Sequence, residues 1–110
     1  MAYDEVLAAR VAELLGDLPD VRSQKMFGGL GFMVGGHMAV AVASGGDLMV
    51  RVDPGEADAW LDEPGVRPME MHGRQMRGWL VVSIAAVATD EELDRWLRRG
   101  VSRACSPDVR

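Results

Sequence analysis

Cysteine is almost missing from this chain of 110 residues: Cys105 stands alone. A single thiol forms no intramolecular disulfide, so the fold must rest on its core, and the sequence suits a reducing compartment. Histidine is equally scarce, with His37 and His72 the whole complement. No His-x-x-His, Cys-x-x-Cys or His-x-Glu spacing occurs, which removes the common zinc arrangements. Aromatic residues make up 5% of the chain. No apolar run approaches the roughly 20 residues that a membrane-spanning helix needs, and the first ten positions carry Asp4 and Glu5 where a secretory signal would carry positive charge. The expectation is a cytoplasmic protein without a membrane segment, one domain over 1–110, near the size at which a core suffices without staples.

Positive charge is also short. The net charge of −5 argues against general electrostatic capture of nucleic acid. Its distribution is uneven: residues 1–20 hold five acids and one base, residues 53–64 five acids and no base, while 21–52 and 65–83 each hold three bases and one acid. The expected strands are thus mildly basic and most of the expected helical segments acidic.

Glycine, by contrast, is plentiful, and five glycines alternate with large apolar residues between Lys25 and Gly36. Gly28-Gly29 reads as a bend or bulge and Gly35-Gly36 as a two-residue hairpin turn, because glycine tolerates positive φ and close backbone approach. Leu30, Phe32 and Val34 alternate with Gly31 and Met33, the period of a strand with one buried face. A phosphate-cradling loop would need a Lys-Ser/Thr pair and a following helix; here a second strand follows.

The pattern along the chain predicts an α+β domain: an antiparallel sheet of five to six strands with N- and C-terminal helices packed against it. A first amphipathic helix spans about 4–17, carrying Val6, Leu7, Val11, Leu14, Leu15 and Leu18 at helical spacing, with Pro19 as a stop. Strands fall within 21–52 and 66–83, and connections this short require antiparallel neighbours. In the strand His37–Ala43, Met38, Val40 and Val42 take one face and Ala39, Ala41 and Ala43 the other; in 75–83, Met76, Leu80 and Val82 take one face and Arg77, Trp79 and Val81 the other. Pro54 opens a short helix over about 54–62 whose Trp60 seals the core edge. Thr89-Asp90-Glu91-Glu92 is a capping box that starts the last helix, about 90–105.

A search for chemistry ends without a catalytic constellation. His37 and His72 lie at turns, where histidines are solvated as a rule; Cys105 has no base near it in any motif and reads as a half-buried helix residue; the serines lack a nucleophile-elbow context. Catalytic residues, metal and cofactor are accordingly set at none. What remains is a surface. Met49, Arg51, Arg77 and Trp79 should share a face of the sheet, with Arg67, Met69 and Lys25 beside them. Methionine, tryptophan and arginine suit protein interfaces, and arginine with an aromatic also grips single-stranded nucleic acid. The plainer alternative, a helix covering this face with Trp79 in the core, stays open.

The run Lys25-Met26-Phe27-Gly28-Gly29-x-Gly31-Phe32-x-x-x-Gly36-x-Met38-Ala39 resembles the opening signature of the TfoX N-terminal domain family. The likeness continues through 47–52, 64–69 and 73–79 and ends around Leu93 to Gly100. Longer members of that family carry a second, helical domain and act in switching on competence genes with a partner transcription activator. The resemblance implies an α+β fold, no established catalytic residue or cofactor, and Lys25, Met26, Phe27, Gly28, Gly29, Gly31 and Gly36 as signature positions with a structural or a binding role. Three functions follow in order. The first is a non-enzymatic regulatory domain that binds another protein, such as a transcription regulator, or itself. The second is direct nucleic-acid binding through the basic sheet. The third is a ligand binder or enzyme around Glu70, His72 and Arg74.

Overall fold

A computed structural model describes residues 3–26, 28–71 (the Met71 side chain excepted) and 73–106. The elements in order are α1 (Glu5–Leu14), β1 (Val21–Met26), β2 (Gly29–Val34), β3 (His37–Val42), β4 (Leu48–Arg51), α2 (Pro54–Trp60), β5 (Val66–Met71), β6 (Arg74–Val82), a 3₁₀ turn (Ile84–Val87) and α3 (Asp90–Ala104). Six strands form one antiparallel sheet in the order β1-β2-β3-β4-β6-β5, so β6 is inserted between β4 and β5.

Local chemistry sets the helix starts. The Asp4 carboxylate accepts the Leu7 N–H at 3.0 Å, and Asp53 accepts that of Gly55 at 2.8 Å with Pro54 just inside the helix. The capping box of α3 is complete: Thr89 Oγ1 accepts the Glu92 N–H at 3.1 Å and Glu92 Oε1 accepts the Thr89 N–H at 3.2 Å. Helix α1 stops at Leu14, sooner than the apolar spacing predicted. Val6 and Leu18, expected on its buried stripe, are 72% and 38% exposed; Leu18 lies beyond the helix, and the stripe that packs is Leu7, Ala8, Val11 and Leu15.

All three helices lie on one face of the sheet. Leu7, Val11, Leu93, Trp96 and Leu97 pack against Phe32, Val40, Val42, Val50, Leu80 and Val82 in a single cluster, with Trp60 at its margin as expected. Trp60 and Trp96 meet edge to face at 6.1 Å between ring centroids. The Arg99 guanidinium sits 4.4 Å from each of these rings and donates to Glu63 at 2.8 Å.

Two register shifts overturn the strand phases read from alternation. Phe32 pairs with Val40 but Met33 with Met38, so Ala39 is an extra residue on β3. Ala39 and Val40 are both buried toward the helices, and Met38 swings to the opposite face, away from Val40 and Val42. On β6, Leu80 pairs with Pro68 and Met76 with the next residue, Met69, leaving Arg77, Gly78 and Trp79 as a three-residue insertion. An odd insertion inverts a period of two. Met76 therefore shares a face with Trp79 instead of Leu80 and Val82.

Candidate functional site

The face of the sheet that the helices leave uncovered carries a groove of about 380 Å³. Its walls come from every strand. Met26, Met38, Met49, Met69 and Met76, five of the eight methionines, line it together with Trp79. Leu30, Gly29 and the β3 end 41–44 complete the lining, and none of the lining residues is charged. Cross-strand register explains the convergence, since directly opposed residues share a face: Met69 stands opposite Met76, and Met49 lies between Ala41 and Val81.

Glycine shapes the floor. A methyl group placed at Gly31 would meet Met38 Cε at 3.0 Å and Met26 Cε at 3.2 Å, so the missing side chain is what lets two methionine tips come together over β2. At Gly29 the obstruction is backbone, the carbonyl of Val42, because β2 and β3 approach closely there. Gly28 lies outside the groove at φ 77°, and Gly35 and Gly36, at φ 63° and 89°, form the hairpin turn expected of them.

Of the surface residues named from the sequence, Met49 and Trp79 line the groove and Arg67, Arg77 and Arg51 do not. Arg51 stands opposite Trp79 in the ladder, yet it is half-buried, and burial together with the nearby Arg103 charge lowers its affinity for its proton. Arg67 is on the groove's face, opposite Val81, and its Nη2 meets Asp47 Oδ2 at 2.8 Å. Arg77 falls in the β6 insertion and is exposed. Lys25 stands opposite Leu30, a neighbour of the helical core, and so takes the other side of β1 from Met26. Phe27 and His72 lie outside the described residues. Cys105 is exposed and caps α3, where a half-buried helix position was expected.

Alternation pointed away from Met38 and Met76, and Met26 was marked only as a signature residue. The signal that could have found them was the abundance of methionine in strands; the bulges that re-aim two of them carry no sequence mark beyond Gly78. Arg95, Arg98, Arg99 and Arg103 form a second cluster along α3, beside a cleft of about 390 Å³. Arg95 and Arg99 pair with Glu63, Arg98 with Asp94, and Arg103 approaches Asp53 at 3.8 Å. The pairs with Glu63 and Asp53 fasten α3 to α2 and its flanking residues, while Arg98–Asp94 stays within α3. The hydrogen bond and charge of Asp94 raise the Arg98 pKa. Among the described residues no three His, Cys, Asp or Glu side chains gather around a metal-sized space, and no helix is long and apolar enough to cross a membrane.

One layer of helices on an antiparallel sheet, with the other sheet face open and thioether-lined, defines a two-layer α+β domain. The family model of the TfoX N-terminal domain matches residues 13–104, and the chain belongs to that family. No curated protein and no solved structure matches it.

Proposed function

We propose that this is a non-enzymatic, cytoplasmic interaction domain of competence-regulator type that docks another protein, such as a transcription regulator, in the open-face groove. The observation behind this reading is the groove itself: uncharged, concave, walled by flexible thioethers and one tryptophan, on the only sheet face without helices among the described residues. Thioethers adapt their rotamers to a partner, and a half-buried tryptophan supplies the anchor area typical of interfaces. Membership of the TfoX N-terminal domain family supports the regulatory setting.

The test is site-specific photo-crosslinking in the native cytosol. A photoreactive side chain at Met38 or Met49 should give a discrete protein adduct, and the same group at Val6 on the helical layer should not. Equal adducts from all three positions, or none from the groove, would remove this surface from consideration. The nucleic-acid reading draws on the arginines of the strands and is checked with labelled oligonucleotides: saturable binding that weakens steeply with salt would establish it.

A further inference from the structure

We infer that the groove is a binding site for a soft monovalent cation, copper(I), with the thioether sulfurs of Met26, Met38 and Met49 as its ligands. The site shares the groove assigned above to protein docking, but it stands on donor chemistry alone and goes beyond that reading. The distribution of sulfur is the first argument. Methionine fills cores as readily as surfaces, yet the buried cluster between the helices and the sheet contains none: it is built from Leu, Val, Ala, Phe and Trp. Five methionines stand instead around one opening on the other face. Apolar bulk alone gives no reason for that segregation. Donor type is the second argument. Among the described lining side chains, the atoms with lone pairs to give are those five sulfurs and the Ser44 hydroxyl, with no carboxylate, imidazole or thiolate. Magnesium and calcium take oxygen ligands, and zinc takes thiolate, imidazole or carboxylate. Thioethers are soft donors that suit copper(I). Rim charge plays no part in this selection: acids and arginines stand there side by side, as Asp47 does with Arg67.

Convergence is the third argument. A methyl group placed at Gly31 would meet Met38 Cε at 3.0 Å, Met26 Cε at 3.2 Å and Met26 Sδ at 3.5 Å, so side chains from β1 and β3 come together over the bare backbone of β2. Gly31 stands opposite Ala41, and Ala41 opposite Met49. In the ladder, then, only the methyl group of Ala41 stands between the Met26–Met38 pair and the third methionine. The unbranched Met49 side chain can reach over it by rotation about its own bonds. The Ala39 bulge, which turns Met38 to this face, completes the donor set.

The experiment titrates the full chain carrying Cys105→Ser, which removes the exposed thiol at the end of α3 that would otherwise capture the probe. The probe is silver nitrate in chloride-free buffer, silver(I) being the redox-inert counterpart of copper(I), and the methyl signals of carbon-13-labelled methionine are followed by nuclear magnetic resonance. The inference expects one ion per chain, with the Met26, Met38 and Met49 signals moving together to saturation, while zinc sulfate moves none of them. Met26→Leu and Met38→Leu remove sulfur and keep apolar volume. Each should weaken silver binding at least about tenfold with native circular dichroism retained. A copper(I)–ascorbate titration, read by competition with a colorimetric copper(I) chelator, should rank the three proteins in the same order. Unmoved methionine signals, or equal affinity in the parent and both leucine variants, would overturn the inference by putting the ion elsewhere, His37 included. Signals that move separately without saturating would overturn it as well. So would saturation confined to Met69 and Met76, which face each other at the β5–β6 end of the groove.

Discussion

Gly100 of α3 presses so closely on Ala39, the bulged residue of β3, that a methyl group placed at Gly100 would lie 2.5 Å from the Ala39 carbonyl oxygen and 2.8 Å from Val40 Cγ1. The bulge and the glycine fit each other. The extra residue brings both Ala39 and Val40 to the helical side, and the absent side chain on α3 lets the helix settle over them. Gly100→Ala should therefore lower stability by about 1–3 kcal/mol, the usual effect of overpacking a tight contact, read as a fall in the denaturant midpoint. Ala is the better helix former, so a neutral or stabilising result would refute the close approach.

Two glycines of one motif should behave differently. At Gly29 a methyl group meets the rigid Val42 carbonyl, whereas at Gly31 it meets the movable ends of Met26 and Met38. Gly29→Ala is expected to destabilise by about 1–3 kcal/mol, and Gly31→Ala to stay within about 1 kcal/mol of the parent. Gly31→Ala should still alter the groove, seen as shifted methyl signals of Met26 and Met38 by nuclear magnetic resonance.

Arg99 should resist conservative exchange. Its planar guanidinium contacts two indole rings and Glu63 together, and a lysine ammonium matches that geometry poorly. Arg99→Lys should lower stability by roughly 1 kcal/mol, with a change in the near-ultraviolet circular dichroism of Trp60 and Trp96. An unchanged spectrum and midpoint would mean the stack is not populated.

The capping box predicts a loss of about 1 kcal/mol for Thr89→Ala. Thr89→Ser, which keeps the hydroxyl that accepts the Glu92 N–H, should recover most of it. Equal losses in the two variants would assign the effect to the threonine methyl.

How much of this was legible in advance depended on the range of the forces involved. The Thr89–Glu92 cap, the Asp53–Pro54 start, the Gly35-Gly36 turn and the antiparallel pairing across short connections are decided within a few residues, and the chain alone determined them. The α+β class followed, because helical and alternating apolar periods dictate which side of each element must be buried. Tertiary structure decided the groove. Whether β3 holds an extra residue at Ala39 depends on α3 presenting Gly100 to it, more than sixty positions away, and the β6 insertion exists only in relation to β5. Each odd shift inverts every side chain beyond it, so Met38 and Met76 changed face for reasons no local pattern contains. The uncovered face has the same origin: short connections require antiparallel neighbours, but only the packing of α1, α2 and α3 into one core left the other side of the sheet to methionine.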